Sequence, residues 1–341
     1  MINQHTLVIT SIANDQHPVL KQFAEKCQDK NIRFILIGDS KSPASFSIPG
    51  CEFYSLNSQI TLPFKMARIL PEKHYSRKNL GYLLAISGGS DRIVETDDDN
   101  YPLDLFWNFN DKLQNVSSVK DAGWLNVYNH FSDKLIWPRG FPLEFIKSEN
   151  KINLSENIKS VNCPVQQGLA NENPDVDAVY RLTYPLPFNF DEASPIALGK
   201  NSWSPFNSQN TAWFKEAFPL LYLPSYCSFR MTDIWRSFVV QRIAWEYDWH
   251  ILFHSPTVYQ ERNEHSLLKD FEDELSGYLN NTAICKKLEN LKLSSNPSGI
   301  YDNLRLCYDA IIKMDLMPDK EAELVEAWCE DCFKVMMGSR Q

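Results

Sequence analysis

Residues Arg92 to Pro102 read RIVETDDDNYP, with three consecutive aspartates, Asp97, Asp98 and Asp99, after the apolar Ile93 and Val94. The run stops at Pro102, which cannot continue a strand ladder. In an extended conformation Asp97 and Asp99 point to one face and Asp98 to the other. Two carboxylates on one face at a strand end make a hard-oxygen clamp for Mg²⁺ or Mn²⁺, ions that keep waters and bridge to phosphates. Three neighbouring carboxylates call for a cation or strong solvation. The same letters also spell an acidic turn, because Asp and Asn are common turn residues. On the triplet alone the two readings stand level. Asp98, pointing away, would then orient a ribose or a neighbouring cation.

Other residues could join such a site. In IGDSKSP (37–43), Asp39 could accept from a base or ribose and Lys41 could meet a phosphate, although Gly-Asp-Ser is also an ordinary turn. YSRKN (75–79) puts Arg77 and Lys78 at the start of a helix. Cations there oppose the helix dipole, and a bound phosphate would remove the conflict; the alternative is a solvated basic turn. Asp175, Asp177 and Arg181 lie in QQGLANENPDVDAVYRLTYP, where the alternation predicts a strand with Asp177 at its start and Arg181 able to pair with it or with a substrate anion, the structural pair being the commoner case. In SYCSFRMTDIWRSFVVQRIAWEY, Thr232 is the expected helix cap and Asp233 opens the helix. Such a carboxylate is usually a cap partner. It can also be a general base for an incoming hydroxyl, held ionised by the helix dipole. Ser208, Gln209 and Asn210, with Trp203, Phe206 and Trp213, are candidates for an acceptor pocket, unless the core claims the aromatics. Arg262 and His265 precede a helix; Arg262 could clamp a diphosphate and His265 ligate a metal or phosphate, against the commoner case of a lone surface histidine.

The elements that must position these residues alternate. LVITSIA (7–13), RFILIGDS (33–40) and CEFYSL (51–56) read as strands, HPVLKQFAEKCQDKN (17–31) and HYSRKNLGYLLAISGGS (74–90) as helices, and the aspartates end a further strand. This is an α/β pattern with a mostly parallel sheet, whose ligands bind at the carboxyl ends of the strands. Asp39 and the acid triplet both fall there. The middle of the chain is rich in aromatics and prolines, and from about Asn263 the text is helical, punctuated by PSG (297–299) and MPDK (317–320).

At 341 residues the chain can bury a full core, and its net charge of −9 argues against nucleic acid as a partner. No apolar run approaches the ~20 residues of a membrane span. The N-terminus lacks the pattern of a signal peptide. The expectation is a cytoplasmic protein, with room for peripheral contact at the inner face of a membrane. Eight scattered cysteines suit a reducing compartment. Cys329 and Cys332 form a C-x-x-C inside a helical stretch without a second ligand pair, which reads as structural.

The segments YSRKNLGYLLAI, ETDDDNYP, QGLANENPDVDAVYRLT, PFNSQNTAWF, YLPSYCSFRMTDIWRS and ERNEHSLLKDF, in that order, resemble the STELLO glycosyltransferase family and, more distantly, the plant reversibly glycosylated polypeptides, which are nucleotide-sugar mutases. The likeness runs from about Leu7 to Phe271 and leaves out the last helices. It implies a GT-A glycosyltransferase fold in 1–262, with a donor half of about 1–105 and an acceptor half of about 106–262, followed by a helical subdomain in 263–341. It further implies a nucleotide-diphosphate sugar donor, a UDP-sugar by expectation, a glycan or lipid-linked saccharide acceptor, and Mn²⁺ or Mg²⁺. By the same carry-over Asp97 and Asp99 bind the metal, Arg77 and Lys78 lie near the donor phosphates, Asp233 is the base of an inverting transfer, and His265 is a metal or diphosphate contact. Plant STELLO proteins carry an N-terminal membrane anchor that this sequence does not show, so their Golgi setting is not carried over. An anchorless enzyme acting on surface-polysaccharide precursors is the expectation. The rivals are a nucleotide-sugar mutase and a non-catalytic nucleotide or glycan binder.

Overall fold

The computed structural model describes residues 4–148, 158–261 and 266–338. Along the chain come β1 (His5–Thr10), α1 (Pro18–Asp29), β2 (Arg33–Ile37), β3 (Cys51–Tyr54), α2 (Leu56–Ile60), α3 (Met66–Ile69), α4 (Lys78–Ser87), β4 (Arg92–Thr96) and β5 (Asn100–Pro102). Then follow β6 (Leu113–Val119), β7 (Gly123–Trp124), β8 (Lys159–Asn171), α5 (Ala178–Thr183), β9 (Ile196–Leu198), β10 (Ser202–Trp203) and β11 (Asn210–Phe214). The chain continues through α6 (Thr232–Ala244), β12 (Trp249–Gln260), α7 (Leu267–Glu289), α8 (Ile300–Ile312) and α9 (Lys320–Gly338).

The α/β expectation is borne out. The large sheet has the order β3-β2-β1-β4-β11-β8-β6-β9-β12-β5, and its first four strands are parallel. From β11 onward parallel and antiparallel pairings mix. Strand β1 shows why its text is a continuous apolar run. Leu7 and Ile9 pack with Val19, Leu20 and Phe23 of α1 on one face, while Val8 packs with Leu80 and Leu83 of α4 on the other. A strand covered on both faces has no polar side to alternate with. Gly81 lets α4 lie against the sheet, since a Cβ there would come within 2.5 Å of Val8 Cγ1. That close approach brings the start of α4 to the end of β4. β4 itself is fixed from below by Glu95, buried and paired with Arg236 of α6 at 2.7 Å, with Tyr82 and Trp213 donating to the same carboxylate.

The C-terminal helices α7, α8 and α9 contribute Ile284, Leu304, Ile311 and Trp328 to the core cluster that holds α4 and α6. Cys329 and Cys332 are buried in α9, and burial pushes the Cys329 thiol up to about 12. Both therefore behave as small hydrophobes. The expected strand over AVYRLT is a helical turn, α5. Asp177 caps it by accepting from Tyr180 N at 2.8 Å, so a local side-chain bond overrides a short alternating pattern. Trp203, Phe206 and Trp213 are all core residues. Among the described residues no helix is long and apolar enough to cross a membrane.

Candidate active site

The carboxyl ends of β1, β2 and β4 open into one cleft of about 620 Å³. Ser11 follows β1, Gly38, Asp39 and Lys41 follow β2, and Asp97, Asp98 and Asp99 follow β4. Gly38 is required at its turn, because a Cβ would meet the Phe53 ring at 2.8 Å. Asp39 is held by its own loop: Ser40 N donates to Oδ1 at 2.6 Å and His74 N to Oδ2 at 3.0 Å. Lys41 is exposed on the rim.

The acid triplet is a turn between β4 and β5 rather than an extended segment, so strand alternation does not separate Asp98 from its neighbours. All three aspartates line the cleft, and each has a different partner. Lys78 Nζ donates to Asp97 Oδ1 at 2.9 Å, Ser11 Oγ donates to Asp98, and Gln260 Nε2 donates to both oxygens of Asp99 at 3.1 and 3.0 Å. The turn is braced from behind by Thr96 Oγ1 and Asn100 Nδ2, both donating to Gln209 O. Burial raises the pKa of Asp97 despite Lys78, and burial with the neighbouring Asp97 charge pushes Asp99 up to about 7. The wall is short of positive charge.

Two candidates for phosphate contact lie elsewhere than expected. Lys78 is fully buried, its ammonium spent on Asp97 and on Thr96 O at 3.1 Å, so it stands behind the acid turn and cannot reach a phosphate. Arg77 lines the cleft but is 2% exposed, and it donates to Gln59 Oε1 at 2.7 Å and to the carbonyls of Leu70 and Pro71. It braces the loop ahead of α4. Arg262 and His265 lie outside the described residues.

The opposite wall belongs to Asp233, Asp175 and a residue that local sequence reading missed, Arg139. Thr232 is the first residue of α6 rather than its cap, and Asp233 sits in the first turn. Arg139 forks onto both acids: Nε and Nη2 meet Asp175 at 2.8 Å each, and Nη1 and Nη2 meet Asp233 at 3.0 Å each. Ser208 N adds a bond to Asp233 Oδ2 at 3.1 Å, and Tyr75 Oη accepts from Asp233 N at 3.2 Å. Burial would raise the Asp233 pKa, but the Arg139 charge and hydrogen bonds outweigh it and hold the carboxyl well below its usual range. Arg139 stands in WPRGFP, a context with no period and no motif, 94 residues from Asp233. Only the odd presence of a cation among prolines and aromatics could have flagged it. Asp175 pairs with Arg139, a partner the sequence reading did not offer it.

The charge pattern fits a divalent cation at the acid turn. Among the described residues no group of three or more His, Cys, Asp or Glu side chains is arranged to hold a metal.

A family model described as STELLO glycosyltransferases matches residues 230–339. The chain is 29% identical over 331 residues to "Probable glycosyltransferase STELLO2" of Arabidopsis thaliana, covering 92% of this chain and 42% of that protein. It is 28% identical over 320 residues to "Probable glycosyltransferase STELLO1" of the same plant, covering 88% and 41%. The chain is STELLO-like. The likeness extends through α8 and α9, past the Phe271 limit set by the segments read above. The STELLO-like chain spans less than half the length of either plant relative. Among solved structures, glucosyl-3-phosphoglycerate synthase from Mycobacterium tuberculosis, in complex with Mn²⁺, UDP and glucosyl-3-phosphoglycerate, is a distant likeness: TM-score 0.39, 10% identity, 83% of this chain and 81% of that one.

Proposed function

We propose that this chain is a metal-dependent, inverting glycosyltransferase of GT-A type that moves a sugar from a nucleotide-diphosphate donor, a UDP-sugar first, to a glycan or lipid-linked saccharide hydroxyl. The observation that carries the reading is the acid turn of Asp97, Asp98 and Asp99, undersupplied with positive charge, in one cleft with Asp39 and Lys41 and facing the ionised Asp233. Asp97 and Asp99 would hold Mn²⁺ or Mg²⁺, which when bound supplies charge neutralisation for the departing nucleoside diphosphate. Lys78 and Gln260 orient the two carboxylates, and Ser11 orients Asp98. Lys41, exposed on the rim, is the donor-phosphate contact within reach, and Asp39 faces the base or ribose.

Asp233 takes the acceptor proton as the hydroxyl attacks the anomeric carbon on the face opposite the leaving group, which inverts the configuration. It remains ionised across the physiological range because of Arg139, as a base must. The same pairing lowers its basicity, so the acceptor has to share or displace the Arg139 contact. That pairing is also what a non-catalytic nucleotide binder would retain, and the two readings separate by experiment. Asp97→Ala should abolish Mn²⁺-dependent nucleoside diphosphate binding and donor turnover together. Asp233→Asn should leave nucleotide affinity intact and remove transfer. Full transfer by Asp233→Asn would end the base assignment, and metal-independent nucleotide affinity would end the metal reading.

A further inference from the structure

A second cavity, of about 240 Å³, opens on the α1 face of the sheet, toward the start of β4 and away from the acid turn. Its walls include Leu105, Phe106, Phe109 and Pro195, with Arg92 set among them. Arg92 is 6% exposed. Its guanidinium lies 4.3 Å from the Phe214 ring centre and 5.1 Å from that of Phe109. Nη2 donates to Asn110 O at 2.5 Å, while the buried Nε has no partner. Among the described residues no carboxylate comes within ion-pair distance, and Asp111 acts on it only from farther off. Burial accordingly pulls its pKa down to about 10.

The arrangement is unbalanced as a purely structural one. Desolvating a cation costs several kcal/mol, which ring faces at about 2 kcal/mol each offset without neutralising the charge. Arg236 is neutralised by Glu95 and Arg139 by Asp175 and Asp233, and buried Arg77 spends its guanidinium on Gln59 Oε1 and the carbonyls of Leu70 and Pro71. Arg92 combines a neighbouring cavity, a buried Nε without a partner and a wall of Leu105, Phe106, Phe109 and Pro195, with Asn108, Gln166, Asn210 and His254 among the polar residues of the same cavity.

We propose that this cavity is a binding site for a small organic carboxylate, its oxyanion paired with the Arg92 guanidinium and its apolar body seated among Phe106, Phe109 and Leu105. The planar guanidinium matches a carboxylate in shape as well as charge. The volume limits the ligand to fewer atoms than a nucleotide sugar, since drug-sized ligand pockets begin at about 300 Å³. The site is independent of the donor cleft and does not rest on the transferase reading.

Calorimetric titration of the full chain with sodium benzoate tests it, with inorganic phosphate as a second arm. The expected result is saturable benzoate binding that weakens at least about tenfold in Arg92→Met. Ala193→Phe, which fills the cavity from another wall with Arg92 intact, should weaken it likewise and decides the matter if Arg92→Met does not fold. Stronger binding of phosphate than benzoate, lost in the same variants, would keep an oxyanion site but overturn the carboxylate assignment. No saturable binding of either probe, or benzoate binding undiminished in Ala193→Phe, would overturn the proposal.

Discussion

On one wall of the cleft a single buried lysine meets Asp97 while Asp98 and Asp99 have only neutral partners; on the other, Asp175 and Asp233 share Arg139, which forks onto each. Both walls are acidic, and both are partly or fully withdrawn from water. Their carboxylates nevertheless move in opposite directions, Asp99 up to about 7 and Asp233 well below its usual range. The difference is counter-charge. A guanidinium with two carboxylates in bidentate contact balances most of the charge it faces, whereas one ammonium cannot balance three carboxylates. The Arg139 wall is therefore complete as it stands, and the wall of the acid turn gains from an added cation.

Arg139→Met should break the comparison most severely. It leaves Asp175 and Asp233 buried and unpaired, and a loss of about 3–5 kcal/mol is expected in urea denaturation. A loss below ~1 kcal/mol would mean that water already screens this wall. Lys78→Met should cost less, about 1–3 kcal/mol by the same measurement, because Asp97 is 38% exposed and cleft water screens it.

Asp99→Asn should act with the opposite sign. The folded-state pKa of Asp99 lies above its unfolded value, so its contribution is fully present below the unfolded pKa and is lost as pH rises through about 7. Without added metal, the variant should melt higher than the parent at pH 8 and lose that advantage by pH 4. Added Mn²⁺ with nucleoside diphosphate should narrow the gap at pH 8 by stabilising only the parent. A melting temperature for Asp99→Asn at or below that of the parent at pH 8 would show that Asp99 is not strained.

The smallest effect concerns Asp177, whose pKa burial also pushes up to about 7, away from the acid turn. Asp177→Asn keeps an acceptor for Tyr180 N but loses the one for Trp137 Nε1, which donates to Oδ2 at 2.7 Å, so only the pH dependence of the difference is diagnostic. Its melting temperature relative to the parent should rise modestly between pH 4 and 7, with no response to Mn²⁺. A Mn²⁺ response there would make the metal dependence at Asp99 uninformative.

The sequence by itself determined the strands and helices whose apolar pattern is long or complete: β1, β2, α1, α4 and the three C-terminal helices all lie where their periodicity places them. It also determined that Asp39 and the acid triplet share a strand-end crevice, because carboxyl ends of neighbouring parallel strands meet in space whatever the side chains. Short pieces were beyond it. AVYRLT reads as a strand until the Asp177 cap is seen, and the acid triplet reads as extended until Asn100 turns back toward Asp97. Only the tertiary structure decided which charges meet. Lys78 withdraws behind Asp97, Arg77 turns to Gln59, and Arg139 crosses to Asp175 and Asp233. Periodicity records the face a side chain presents to its neighbours along the chain, but counter-charge depends on residues tens of positions away, which only packing brings into contact.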